Sequence, residues 1–562
     1  MNTLNTFTSY QQPMKVLTLK IIFTALVFTG CSAPQKTVKP DTQTLDNLKA
    51  HIGYLADDKL EGRRTGTKGE EMAVEYIRQQ FNAIGLQPKG TEYYTQSFTV
   101  NDGKKIDSIT ELSINGSKLI TGKDFFPFPW SPDMMLEALP SIAVQEAGMP
   151  WFFDLKETLE ENKSNPHFDL KEYVRNNSKK AKDRGASAVI LYNTSAIDDK
   201  LVFDSKDRSG KLEIPVLYVS RPAAEKYFAD KTATLTINMR TGISEKTRIG
   251  YNVIGYIDNK AATTVVLGAH FDHLGYGEDG NSRHVSHDAA IHNGADDNAS
   301  GTAALIELGR KLKSSAAKGN NYLLIAFSGE ELGLYGSKYF TEHPTIDLNT
   351  VNYMINMDMV GRMVDSSRAV TIGGYGTSPS WPSVVSQLIN SPFTIKIDSS
   401  GTGPSDHTSF YRKDIPVLFY FTGLHTDYHK PTDDADKINY SGITRVLEHI
   451  SYVINTLNDK PKLAFTKTRE TQTTTTARFN VTMGIMPDYT YAGAGVRADG
   501  ISDGKPAQKA GLMAGDIILQ IGDYSVSSME SYMQTLTKFK KGDKVKVKYK
   551  RGNDAFETTV EF

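Results

Sequence analysis

The stretch TTVVLGAHFDH, residues 263–273, decides how this chain folds. Its apolar run has no polar interruption up to His270, which is how a strand covered on both faces reads, and its polarity then changes abruptly. The same texture recurs in NYLLIAFSGEE (321–331), VNYMINMDMVG (351–361), AVTIGG (369–374) and IPVLFYFTG (415–423), with helical spacing between them as in GTAALIELGRKL (301–312). Strand and helix alternating from 250 to about 455 predict an α/β fold, a mixed and mostly parallel sheet flanked by helices.

Polar residues collect where these strands end. His270 and Asp272 close the first, Glu330 and Glu331 the second and Asp358 the third, and His429 follows the last. In open α/β sheets that edge is where ligands bind. HNGADDNASG (292–301) adds Asp296 and Asp297 where a helix begins. Alone, the pair reads as an N-cap, a strand-end His-x-Asp as surface polarity and a lone His as packing. Convergence on one sheet edge overrides those readings. Two imidazoles, two terminal carboxylates and one bridging carboxylate give each of two divalent ions a mixed nitrogen and oxygen set, and zinc fits best. The remaining carboxylate, one residue before a ligand, is placed to act as general base.

These motifs resemble the di-zinc exopeptidases of the bacterial leucyl-aminopeptidase type, peptidase family M28, over residues 42–109 and 248–458. The resemblance implies His270, Asp297, Glu331, Asp358 and His429 as metal ligands, with Asp297 bridging two Zn2+ ions. By the same resemblance His270 and Asp358 share one ion and Glu331 and His429 the other. It implies Glu330 as base, Asp272 as the acceptor that orients His270, and Asp296 as neighbour and cap. Tyr428 matches a position where some relatives stabilise an oxyanion. GPSDHTSFY (403–411), with Asp406 and His407, is similar to a segment bordering the substrate pocket. His273, His284, His287 and His292 read as loop residues.

A chain of 562 residues is too long for one core, and a formal net charge of −1 gives no support for binding nucleic acid or a membrane surface through bulk charge. The single cysteine, Cys31, excludes disulfides within the chain and a cysteine-ligated zinc. It ends MKVLTLKIIFTALVFTGCSA (14–33), a basic flank, a short apolar core and a small residue, laid out like a secretory signal. That layout resembles a bacterial lipoprotein signal over residues 1–31, which implies export to the periplasm or cell envelope and anchoring by a lipidated Cys31.

Helical spacing in 45–86, broken by EGRRTGTKG (61–69) and stopped at Gly85, predicts two helices and a loop. Residues 110–247 have the texture of a small inserted α/β unit. AKDRGASAVILYN (181–193) and IPVLYVS (214–220) resemble a protease-associated domain, whose relatives are similar to lids over a substrate site. A Thr-rich linker is expected over 459–478, then a β-rich module at 479–562. In it AQKAGLMAGDIILQIGD (507–523) and TMGI (482–485) resemble a PDZ domain, implying a groove that takes a peptide C-terminus or a protein strand.

The sequence thus points to a metal-dependent aminopeptidase acting on peptides. A carboxypeptidase or dipeptidase of the same fold would need cations for a free carboxylate, and Arg362 and Arg412 are the candidates. A non-catalytic peptide-binding receptor is the rival from another class. A single-zinc glutaminyl cyclase shares the architecture.

Overall fold

The structure is a computed structural model. It describes residues 42–562 apart from 164, 166–167, 208, 285, 287–288, 386–393, 469–480, 489–490, 492, 503 and 528. The expected signal segment, Cys31 and His287 lie outside the described residues.

Two helices open the described chain, α1 (Thr42–Leu55) and α2 (Lys68–Ile84). Buried Leu48, Ile52 and Leu55 on α1, and Ala73, Ile77 and Phe81 on α2, recur at three- and four-residue steps and face the core. Gly85 stops α2 as expected: at φ 78° it adopts the left-handed cap conformation.

The main sheet has nine strands. Its principal members are β1 (Thr95–Ile106), β2 (Ile243–Ile257), β3 (Thr264–His270), β4 (Asn321–Phe327), β5 (Val351–Met357), β6 (Ala369–Gly373), β7 (Thr394–Ile397) and β8 (Val417–Phe421). A two-residue strand, Gln87–Pro88, also pairs with β2. The order runs β2, β4, β3, β5, β8, β6, β7, with β1 on β2. The four central strands β4, β3, β5 and β8 are parallel, and antiparallel pairing flanks them. Every residue of β3, β4 and β5 is buried, as their unbroken apolar runs predict. From β3 the chain passes through α3 (Gly301–Lys313) to β4 on one side, then through α4 (Tyr335–Glu342) to β5 on the other. The end of β3 is therefore a topological switch point, where the connections diverge and leave a crevice. Helix α5 (Tyr440–Leu457) packs its apolar face, Ile443, Val446, Leu447, Ile450 and Val453, into the same core as α1 and α3.

The insert leaves the sheet through β1 and β2, which stay paired from Thr95 opposite Val253 to Ile106 opposite Ile243. This stalk extends a few residues into the range expected for the insert. The insert itself holds one mixed sheet, Phe125–Pro127 with Pro150–Asp154, Ala188–Tyr192 and Val216–Val219, and one antiparallel sheet built around Ile237–Thr241.

Residues 459–468 are a strap on the main-sheet core and not the free linker expected there. Leu463 joins the core, its N–H donates to Asn352 Oδ1 at 2.8 Å, and Phe465 packs on Tyr411. The physical reason is apolar content: Leu463 and Phe465 find cover against the core. Beyond it, a six-stranded sheet with its own core, including Met483, Ile485, Ile518 and Val547, forms the C-terminal module. Among the described residues no helix is long and apolar enough to cross a membrane.

Candidate metal centre and active site

Parallel register brings the strand ends together. His270 lies opposite Phe327 and Gly268 opposite Asn356, so the residues that follow β3, β4 and β5 emerge at one edge. Asp297 sits between two imidazoles: its Oδ1 is 3.4 Å from His270 Nε2 and its Oδ2 is 3.3 Å from His429 Nε2. Asp358 Oδ1 is 3.2 Å from His270 Nε2, and Glu331 Oε2 is 3.2 Å from His429 Nε2. One carboxylate thus faces both histidines and each histidine has a second carboxylate of its own.

The donor set fits two divalent cations. His270, Asp297 and Asp358 form one group whose ligand atoms lie within 4.8 Å of one another, and Asp297 and Glu331 belong to a second with His273. Each of the two expected histidine ligands is turned by its other nitrogen. His270 Nδ1 faces the Asp272 carbonyl at 3.2 Å, and His429 Nδ1 faces the Asn281 carbonyl at 2.8 Å, which leaves both Nε2 lone pairs aimed into the cluster. The Asp272 carboxylate stands farther from Nδ1, at 3.6 Å. It accepts instead from Thr65 Oγ1 (3.1 Å) and the Glu330 N–H (3.1 Å), tying the β3 end to the β4 end.

Crowded carboxylates set the electrostatics. Burial raises Glu330 well above the usual carboxyl range, with Asp358, Glu331 and Asp406 adding and His270 opposing. Burial works against charge on His429, yet Glu331 and Asp297 push it up to about 11. His270 is also raised despite burial, by Asp358 and Glu330. Cations placed among these groups would relieve the repulsion.

GADDNASG is built for this position. Its first glycine, Gly294, has φ 56° and a Cβ there would lie 2.1 Å from the Asp297 carbonyl oxygen; a Cβ on Gly301 would lie 2.4 Å from both Asn298 Oδ1 and the Met357 carbonyl. The capping role expected of Asp296 belongs to Asn298, whose Oδ1 accepts the Gly301 N–H at 2.9 Å and the Met359 N–H at 3.2 Å. Asp296 points elsewhere because the turn before α3 is irregular. It accepts from the Gly361 N–H (2.6 Å) and Ser300 Oγ (3.0 Å) and faces His425 Nε2 at 3.2 Å. Asp433 Oδ2 accepts the N–H groups of both Asp296 and Asp297. Asp296 and Asp433 therefore fasten the Asp297 turn to the segments carrying Asp358 and His429.

His273 is not a loop bystander. It is buried, and its Nδ1 lies 2.7 Å from Glu331 Oε1 and 3.9 Å from Asp297 Oδ2. Its place directly after the His-x-Asp was the available signal, obscured by three more histidines downstream. Of those, His292 contacts Ser282 Oγ at 2.7 Å, away from the cluster.

A cavity of about 490 Å3 opens over the centre. Asp297, Glu330, Glu331, Asp358, Tyr428 and His429 line its floor, and Met359, Pro404, Phe419, Phe421 and Leu424 its apolar wall. No Lys or Arg lines it among the described residues. Arg362 is turned away onto Asp427, at 2.9 Å, and Arg412 is absent from the lining, so neither meets the requirement of a carboxypeptidase. His407 lines the wall and stacks on Phe419, with ring centroids 4.4 Å apart, while Asp406 is buried behind it. Tyr428 stacks beside His429; burial, with Asp297 and Glu331, raises its phenol far above the usual range and keeps it a proton donor.

Residues 252–454 match the model of peptidase family M28, and residues 481–562 match a PDZ domain. The chain is similar to aminopeptidase YwaD of Bacillus subtilis, 29% identical over 284 residues, 48% of this chain and 56% of that protein. It is also similar to a probable leucine aminopeptidase of Arthroderma otae, 28% identical over 222 residues, 37% of this chain and 56% of that one. The chain spans about half the length of these curated relatives. Among solved structures, a zinc aminopeptidase of Bacillus subtilis superposes with a TM-score of 0.41 at 20% identity, covering 75% of this chain and 98% of the other.

Proposed function

The chain carries a peptidase family M28 domain and a PDZ domain, and from that premise we propose that it is a two-zinc aminopeptidase removing N-terminal residues from peptides. The observation that carries the reading is the cavity lining: among the described residues it has five carboxylates, Asp297, Glu330, Glu331, Asp358 and Asp398, and no lysine or arginine, a surface suited to a substrate's α-ammonium group rather than to a free carboxylate. The apolar wall of Met359, Phe419, Phe421 and Leu424 favours an apolar first side chain.

Zinc at the five donors His270, Asp297, Glu331, Asp358 and His429 would supply Lewis acidity toward the carbonyl and make water acidic at neutral pH. The chain's own groups do the rest. Glu330, fixed through its N–H by Asp272, takes a proton from the attacking water and delivers it to the leaving amine. Tyr428 donates to the oxygen on which charge develops. The C-terminal module receives a peptide C-terminus or an added strand along Ile485–Pro487, an edge strand of its sheet. Export and anchoring through a lipidated Cys31 complete the proposal.

The test pairs substrates with variants. Peptides with a free amine should be cleaved one residue at a time, while their N-acetylated forms should not. Glu330→Gln should keep two zinc ions and lose two or more powers of ten in kcat. Glu331→Gln should lose metal at one side and Asp297→Asn should weaken both. Equal metal loss in all three variants, or cleavage of acetylated peptides at the normal rate, would reject the assignment.

A further inference from the structure

The loop EGRRTGTKG, which the reaction does not use, sends one arginine into the protein interior. Arg63 is fully buried, and its guanidinium has carbonyl partners on three chain segments. Nε donates to the Phe271 carbonyl at 2.7 Å. One terminal nitrogen donates to the Asn293 carbonyl at 2.6 Å and to the Leu55 carbonyl. The other donates to the Gly294 carbonyl at 3.0 Å. Phe271 lies between His270 and Asp272, and Gly294 begins the turn that presents Asp297. Leu55 ends α1, whose other face is anchored in the core.

We propose that Arg63 is a positioning residue that locks the segment carrying His270 to the turn carrying Asp297, so that the ligands stand at their spacing before zinc arrives. The argument is one of geometry and charge together. A planar fork can bond four fixed carbonyls at once, whereas a lysine ammonium is a point donor on a flexible stem. Among the described residues no carboxylate forms an ion pair with the guanidinium, so its charge is not consumed in that way. It acts instead on the carboxylates nearby: Asp272, Asp297, Asp433 and Glu331 all favour its charged form, although burial lowers it to about 10. It remains a cation at neutral pH and offsets their repulsion while the metals are absent. Its neighbour Arg64 faces outward, onto Asp279 at 2.7 Å, so the two arginines of the motif have separate tasks.

The inference rests on the metal reading of the site, which zinc content of the parent protein tests by itself. Given two bound ions there, Arg63→Lys should bind zinc at least tenfold more weakly at the His270 and Asp297 side in a chelator competition. The zinc-free variant should melt within a few degrees of the zinc-free parent. Unchanged zinc affinity, with equal loss of melting temperature in both metal states, would make Arg63 merely structural and overturn the proposal. Should the variant not fold, hydrogen exchange on the parent decides: residues 270–273 and 293–297 should stay protected without zinc, and free exchange there would show that no lock exists.

Discussion

At the residue scale, the same side-chain type takes different jobs according to what covers it. His429 is held beside two carboxylates and charges readily, whereas His273, whose ring centre lies 5.9 Å from that of His429, is driven well below the usual histidine range by burial, against the pull of Asp297. A neutral His273 can donate from Nδ1 to Glu331 Oε1 and leave Oε2 facing His429. His273→Phe should therefore weaken zinc at the Glu331 and His429 side by about ten- to a hundredfold, with the His270 side little changed, as such outer partners of ligands usually do. A calorimetric zinc titration checks this, and two unaltered binding steps would sink it. The candidate ligands could be picked out in the sequence because His270 ends an apolar strand, Glu331 and Asp358 follow such strands closely, and Asp297 lies in a glycine-bounded turn. The groups that hold them could not. Asp433 and Arg63 act through backbone N–H and C=O groups on segments distant in sequence, as Asn298 does at Met357 and Met359, and no local pattern records such partners.

At the element scale, β3, β4 and β5 were legible because burial on both faces demands unbroken apolar runs, and α2 because its stop signal is local. The turn before α3 was not: Asp296 has the chemistry of a cap, but tertiary partners on Gly361 and His425 outbid the helix end. Helix α5 offers a pH test away from the centre. His449 is buried against the core, and Tyr420 Oη lies 2.8 Å from its Nδ1. Burial lowers it to about 4. The folded value lies below the unfolded one of about 6.5, so between those limits the unfolded chain binds the extra proton. The stability this residue contributes is therefore complete above pH 6.5 and is lost on acidification, at up to about 1.4 kcal/mol per pH unit. His449→Gln keeps a hydrogen-bond partner for Tyr420 and removes the titration. Urea unfolding in chelator should show the parent losing about 2 kcal/mol more than the variant between pH 7 and pH 5. Identical losses would mean that His449 is not held neutral.

At the scale of the whole molecule, changes in sequence texture suggest a two-part α/β unit, an insert and a C-terminal module, and the packing crosses the boundaries expected between them. β1 and β2 carry the main sheet toward the insert, and the strap 459–468 returns Leu463 to the main core. That strap decides where the chain can be cut. The C-terminal module meets α4 through Lys338 Nζ and Asp488 Oδ1, 2.6 Å apart. Removing the module leaves a lysine near the surface that water can solvate, so the contact contributes little to the stability of the catalytic core. Leu463 is different, because a cut before it uncovers core surface, and a buried leucine side chain is worth about 1.5–3 kcal/mol. A chain ending at residue 468 should therefore fold, bind zinc and cleave short chromogenic substrates at close to the full-length rate. A chain ending at 458 should melt several degrees lower. Thermal melting and turnover of the two truncations separate the cases: equal melting temperatures would show that the strap is dispensable, and an inactive or aggregated chain ending at 468 would show that the catalytic core needs the C-terminal module to stand.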